Sequence, residues 1–363
     1  MDEARLIRAF FGRPAPPAAT VTARGRAAAL AAAGGSPVRR AARHRPPGRL
    51  MMAATAAAVA VSLAVAVAGT TSAARRDRSD GSPAASARQF LLAAASFAAR
   101  RPQRTGRYWH VLIHESYDTP VEASGVRFTV TLEDRQESWT SAASRADDTD
   151  IYQSLGFRPA TAADEAAWRR AGSPGTVWIP GAPPARLPMA PGPVQVSSGE
   201  RIWPGGLNMR DVQDLPSGQA MLKARLLQAG EHIGAPTRLP APDLGRYRLF
   251  EVAAVLFRSA PLSPAVTAAV FRILAGLPGI TKISNVRDGE GRSGSAVAMV
   301  VRAAGGGTVL SRLILDPATG NIRGDSEVVI TPFPGLPWLQ PGDLFSDHTV
   351  VAQGWTGTAP KSS

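Results

Sequence analysis

The sequence predicts an α+β fold: one transmembrane helix followed by an extracytoplasmic antiparallel sheet, curved and covered by helices. Three observations predict it. Leu50 to Gly69 runs for twenty residues without a charge, about the roughly 20 residues that a helix needs to cross a bilayer core. Beyond that run, several segments alternate apolar and polar residues, as strands with one buried face do. Between them stand segments with helical stripes and recognisable caps.

The elements follow in chain order. Asp2 and Glu3 precede Leu6, Ile7, Phe10 and Phe11, an apolar stripe at helical spacing with acids where the helix dipole favours them. These four residues are the expected docking stripe for a cytoplasmic partner, and a helix lying on the membrane surface is the plainer alternative. Ala, Arg, Pro and Gly dominate from Gly12 to Pro47, a composition that does not build a core. Residues 1–49 are therefore expected to be a basic, mostly disordered cytoplasmic segment. Leu50–Gly69 is the expected transmembrane helix, with only Thr55 and Ser62 as hydroxyls. Ten Arg and two acids precede it, so the positive-inside rule places the N-terminus in the cytoplasm and the remainder outside, a single-pass protein of the cell membrane. A cleaved signal peptide, with Ala66-Val67-Ala68 as its small-x-small site, is the rival reading.

Residues 70–83 read as a linker, 84–357 as the extracytoplasmic domain and 358–363 as a tail. Pro83 to Arg100 is expected to be a helix, with Phe90, Leu91, Ala94 and Phe97 on one stripe. Tyr108–Tyr117 and Val126–Thr140 alternate as strands, the first placing Trp109, Val111, Ile113 and Tyr117 on one face. Thr161 to Asp164 has the spacing of a capping box and Gly172 closes that helix. Ser173 to Pro216 is dense in Pro and Gly and reads as a long loop. Three helices follow: Gln219–Ala229, Tyr247–Arg258, and one signposted by Ser263 as N-cap, Pro264 at the first position and Gly276 as stop. A meander of Ile280–Val286, Ser295–Arg302, Val309–Leu315 and Ile322–Ile330 comes next, and a short strand near His348–Gln353 ends the domain.

Composition narrows function. The net charge of +13 divides unevenly, because ten basic and two acidic residues in 1–49 leave 31 basic against 26 acidic for the rest. The excess lies beside the apolar run, where it sets topology and attracts anionic lipid heads. Only Lys223, Lys282 and Lys361 accompany 38 Arg, a GC-codon bias, so no nucleic-acid partner is expected. The absence of cysteine removes a lipobox thiol, a thiolate nucleophile and any Cys-containing zinc site.

No motif carries catalysis. Gly289-Glu-Gly291-Arg-Ser-Gly294 matches a dinucleotide fingerprint, but a strand pattern follows where a helix is required, so it reads as a hairpin turn. His110 and His114 on a strand lie about 13 Å apart at roughly 3.3 Å per residue, too far to share one ion. Asp147, Asp148 and Asp150 lack the glycine and distal Glu of a calcium loop. Glu133, Asp134 and Glu137 read as solvent-face charges, and Ser346-Asp347-His348 is a succession of triad residue types without triad geometry. The expectation is a protein without catalytic, metal or cofactor residues. Trp178, Trp203 and Trp338 lie in Pro-rich stretches and form the candidate aromatic ligand or partner face, with buried rings that anchor loops as the plainer alternative.

Several segments together resemble a group of actinobacterial single-pass membrane proteins of unknown function: Arg107-Tyr-Trp-His-Val, Thr161-Ala-Ala-Asp-Glu-Ala-Ala-Trp, Gly276-Leu-Pro-Gly279, Asp288-Gly-Glu-Gly-Arg-Ser-Gly294, Ser311-Arg-Leu-Ile-Leu, Asp316-Pro-Ala-Thr-Gly320 and Gly354-Trp-Thr356. The resemblance implies the topology above and a fold distantly like lipoprotein carriers. The functional expectation is a membrane-anchored binding or interaction module for an envelope protein or apolar ligand. The alternatives are a signal relay to a cytoplasmic regulator such as a sigma factor, and a carrier of a lipid or other apolar molecule.

Overall fold

Tight turns and paired strands organise the chain from its first hairpin. The computed structural model describes residues 83–143, 148–180, 186–231, 241–302, 306–334 and 338–358, all within one compact unit. Helix α1 (Pro83–Ala99) leads into β1 (Tyr108–Ala123) and β2 (Val126–Ser141). Ser124 and Gly125 both take positive φ, 49° and 75°, the two-residue turn whose twist suits a hairpin. β1 runs on past Tyr117, where the expected strand ended, and through Pro120. Opposite Pro120 sits Thr129, whose N–H donates to Asp164 Oδ1 and whose carbonyl accepts from Ala160. Pro120 thus needs no bond to β2, and its missing N–H faces an edge that β11 leaves unpaired beyond Ser116.

The order continues with β3 (Thr149–Pro159), α2 (Ala162–Arg170), β4 (Thr176–Trp178), β5 (Arg186–Pro188), β6 (Gln195–Ser198), a 3₁₀ turn (Pro204–Gly206), α3 (Met209–Gln213), α4 (Gln219–Gly230), α5 (Ala241–Ser259) and α6 (Pro264–Ala275). β7 (Thr281–Arg287), β8 (Ser293–Arg302), β9 (Thr308–Leu315), β10 (Ile322–Thr331) and β11 (Leu344–Thr356) complete it. The stretch expected as one long loop, Ser173–Pro216, therefore holds three short strands and a helix. β3 was not expected at all. Its alternation is broken by a bulge at Gly156, where φ is 95°. β11 is no short terminal strand: at 13 residues it lies between β1 and β10.

Eleven strands form one antiparallel sheet in the order β6-β3-β2-β1-β11-β10-β9-β8-β7, with β4 and β5 attached beside β1. Helices pack on one face, called inner here. Over β8 to β10 they enclose the large core, in which Leu91, Leu222, Leu226, Phe250, Leu256 and Phe271 meet Val297, Met299, Val309, Leu313 and Val329. A second core on the same face joins α2 to Val121, Phe128, Val130, Leu132 and Phe157. α6 shows the expected caps: Val266 N donates to Ser263 Oγ at 3.2 Å, and Gly276 ends the helix. The turn Asp288–Arg292 folds back over the outer face, with Gly289 N on Thr349 Oγ1 at 2.9 Å and Arg292 Nη2 on the Val350 carbonyl at 2.7 Å. The sheet thereby curls.

The principal correction concerns the membrane. No helix among the described residues is long and apolar enough to cross one. The longest, α5, has 19 residues and carries Asp243, Arg246, Arg248, Glu251 and Arg258. The fold with one transmembrane helix, and the cell-membrane localisation with a cytoplasmic N-terminus drawn from it, are therefore not supported. Leu50–Gly69 itself lies outside the described residues. The docking stripe of Leu6, Ile7, Phe10 and Phe11 also lies outside the described residues.

Candidate functional site

Strand register sets side chains of different strands into rows, and two rows stand out, one on each face of the sheet. On the inner face, Asp134 of β2, Glu115 of β1, His348 of β11 and Asp325 of β10 are successive cross-strand partners. They form a line of four ionisable groups between the two apolar cores. The adjoining line holds Ser346 of β11, Glu327 of β10 and Ser311 of β9. α5 lies over these lines and lowers Tyr247, Glu251 and Arg258 toward them.

The contacts are specific. Arg258 Nη1 donates to both Asp325 oxygens at 2.7 and 2.8 Å. His348 Nδ1 lies 3.1 Å from Asp325 Oδ2, and its Nε2 lies 3.5 Å from Glu115 Oε1. Ser311 Oγ donates to Glu251 Oε1 at 3.0 Å, and Ser346 Oγ lies 3.5 Å from Glu327 Oε2. Glu327 Oε1 is buried without a partner among the described residues.

Burial dominates the electrostatics. It raises the Glu251 carboxyl to about 7, with Asp325 adding repulsion. Burial and then Glu251 push Glu327 well above the ordinary carboxylate range. Asp325 goes the other way: burial opposes its charge, but Arg258 and His348 outweigh it and hold the carboxyl at about 2. One carboxylate is thus fixed as an anion and two neighbours favour the protonated form. Such clusters cost folding energy and concentrate at functional sites.

The outer face carries a different row: Val196 of β6, Ile151 of β3, Glu137 of β2, Leu112 of β1 and Ala352 of β11. None of these is fully buried, and Val196 is 60 % exposed. In the next row Trp139 stacks on His110 with ring centroids 4.6 Å apart, and His110 Nε2 lies 2.8 Å from Glu137 Oε1. Of the seven exposed large apolar side chains among the described residues, Trp178, Val194, Val196 and Ile202 all fall within residues 178–202. That segment carries β5 and β6, and β6 ends the sheet.

The expected residues are distributed as follows. Trp178 is 37 % exposed on β4, with the Arg186 guanidinium 4.9 Å from its ring centroid. Trp203 is buried in the large core and donates to Ser259 Oγ at 3.1 Å, and Trp338 packs half-buried on the same core. Only Trp178 is exposed to solvent. His110 and His114 share the outer face of β1 but take separate carboxylates, Glu137 at 2.8 Å and Glu290 at 2.7 Å. Strand alternation turns Asp347 away from Ser346 and His348. Asp148 accepts from Ser141 N at 2.7 Å and Arg201 N at 2.8 Å, which makes it a clamp between segments. Glu133 pairs with Arg158 at 2.7 Å, on the face opposite to Asp134. The Gly289 turn packs so closely that a Cβ there would lie 2.7 Å from Thr349 Oγ1. Among the described residues no group of three or more His, Asp or Glu is arranged to hold a metal. Two depressions among the described residues are open: about 430 Å³ beside Arg101 and Arg272, and about 390 Å³ beside Trp168.

The inner rows escaped sequence reasoning. A local signal is on α5, where Glu251 and Arg258 lie seven apart, two helical turns on one face, the first inside and the second just after the apolar run from Leu249 to Phe257. No family model matches the chain, and no curated protein or solved structure matches it. The resemblance to an actinobacterial group and to lipoprotein carriers thus gains no support, and nothing points to an enzyme or away from one.

Proposed function

We propose that this protein is a non-catalytic binding module that takes an extended polypeptide partner at the β6 edge and the adjoining outer face. The observation that carries the reading is the exposed Val196 beside Ile151 on β3, an apolar pair at the end of the sheet at β6, beyond which Glu137 separates Ile151 from Leu112 in the same row. An edge strand offers unpaired N–H and C=O groups to an incoming strand. In strand addition the main chain gives affinity, and alternate side chains give specificity. Val196 on β6 and Val194 just before the strand are both exposed and would meet apolar residues of the partner.

Val194 and Val196 are 50 % and 60 % exposed, so Lys at either position leaves the folded core intact while blunting the edge. After cross-linking in the cells that make the protein, Val194→Lys and Val196→Lys are expected to lose partner proteins that the unchanged chain retains. Met221→Lys, at another exposed apolar site, is expected to keep them. Retention of the same set by all three variants would contradict the reading.

A further inference from the structure

The groups that face Glu327 come from every element around it. Asp325 lies on its own strand, Ser311 on β9, and Ser346 and His348 on β11, with Glu115 beyond on β1. From above, α5 contributes Tyr247, Glu251 and Arg258. Glu251 and Glu327 both flank Ser311: one bonds to its hydroxyl, and the other is its direct cross-strand partner, a position roughly 5 Å away between Cβ atoms. Asp325 already takes Arg258 in a two-oxygen contact. The unpartnered Glu327 Oε1 is sealed inside, on a residue 8 % exposed.

Hydrogen bonds that do not titrate hold the C-terminal end of α5. Trp109 Nε1 donates to the Ser259 carbonyl at 3.0 Å, and Gln353 Nε2 donates to the Phe257 carbonyl at 3.0 Å. Trp203 Nε1 donates to Ser259 Oγ, which donates in turn to the Val255 carbonyl at 2.7 Å. These bonds satisfy carbonyls that the helix end would otherwise leave orphaned. Among the described residues, Tyr247 and Glu251, farther up the helix, meet the sheet through the carboxyl cluster and apolar packing, and beside them Arg246 Nη1 donates to the Pro278 carbonyl at 3.1 Å.

We propose that Glu251 and Glu327 form a proton-operated latch that closes α5 onto the sheet when protonated and releases the helix from its N-terminal side when both are ionised. Ionising both adds two negative charges beside Asp325, with the Arg258 guanidinium, already bound to Asp325, as the facing cation. The displaced helix admits water to the carboxylates, and its last turn, held by Trp109 and Gln353, serves as the hinge. The latch is independent of the outer-face reading, because every group in it lies on the inner face.

Hydrogen exchange on the full-length chain tests it, with rates corrected for the intrinsic pH dependence of amide exchange. Between pH 5.5 and pH 8, protection of residues 244–252 is expected to fall at least tenfold, while the last turn of α5 and the whole of α6 change less than threefold. Glu327→Gln and Glu251→Gln, each near-isosteric, are expected to shrink the tenfold change to under threefold. Should neither variant fold, a ¹³C titration of side-chain carboxyls in the unchanged protein decides, with two glutamates expected to titrate above the ordinary range. Equal protection of residues 244–252 at the two pH values, an undiminished change in both variants, or ordinary titration of every glutamate would overturn the proposal.

Discussion

Replacing Glu251 with Gln is expected to stabilise the protein at alkaline pH and leave it nearly unchanged at acid pH. Burial first, and Asp325 second, raise the Glu251 carboxyl from 4.5 to about 7 in the folded chain. The folded state therefore holds this proton more tightly than the unfolded state. The resulting stability is fully present below the unfolded value near 4.5 and is lost as pH rises through about 7. Holding the proton from 4.5 up to about 7, at about 1.4 kcal/mol per pH unit, comes to about 3.5 kcal/mol, nearly all of it lost by pH 8. Gln carries no charge and keeps an oxygen for the Ser311 hydroxyl, so the variant escapes that loss. Urea unfolding followed by far-ultraviolet circular dichroism at pH 5, 6.5 and 8 measures it. The variant should match the unchanged protein within about 1 kcal/mol at pH 5 and exceed it by about 3 kcal/mol at pH 8, with the same urea slope. Equal stability of the two proteins at pH 8, or the same offset at all three pH values, would refute the reasoning.

Three further outcomes follow from single contacts. Arg258→Leu strips the cation from a carboxylate held at about 2 and should cost about 3–5 kcal/mol at pH 7, measured by urea unfolding, with the cost shrinking toward pH 3 as Asp325 protonates. Gly156→Ala places a Cβ 2.1 Å from the Met189 carbonyl oxygen at a φ of 95°. It should cost at least about 2 kcal/mol, readable as a lowered Tm. Ser263→Ala removes the side-chain acceptor of Val266 N and should cost about 1 kcal/mol, again in the urea midpoint.

What the sequence made legible was local. Ser263, Pro264 and Gly276 define α6 because caps act within a few residues. The alternation of Trp109, Val111 and Ile113 defines a face of β1 because side chains on a strand have a period of two. The same locality explains the misses. β1 passes its expected end at Tyr117 and runs through Pro120, which only the pairing of Thr129 with Asp164 and Ala160 makes possible. Gly156 hides β3 by shifting its register halfway along. Alternation shows that Glu115, Asp325 and His348 face one side of their own strands, but not that those strands are neighbours. Glu115 and His348 are 233 positions apart in sequence and direct partners in the sheet. The two Val of the β6 edge lay inside a stretch read as loop, where no period assigns a face. The three tryptophans were chosen for lying outside periodic elements, yet Trp203 and Trp338 serve the core, as large apolar rings in turns often do.

The central claim is that residues 194 and 196, at the end of the sheet, are where a polypeptide partner adds. Its most direct measurement is site-specific photo-cross-linking in the cells that make the protein, with the reactive side chain placed in turn at Val194, Val196, Met221 and Val300, all exposed. The account predicts one common adduct from positions 194 and 196, mapped to a single extended segment of the partner, and none from 221 or 300. Equal labelling at all four positions, or none at 194 and 196, would contradict it.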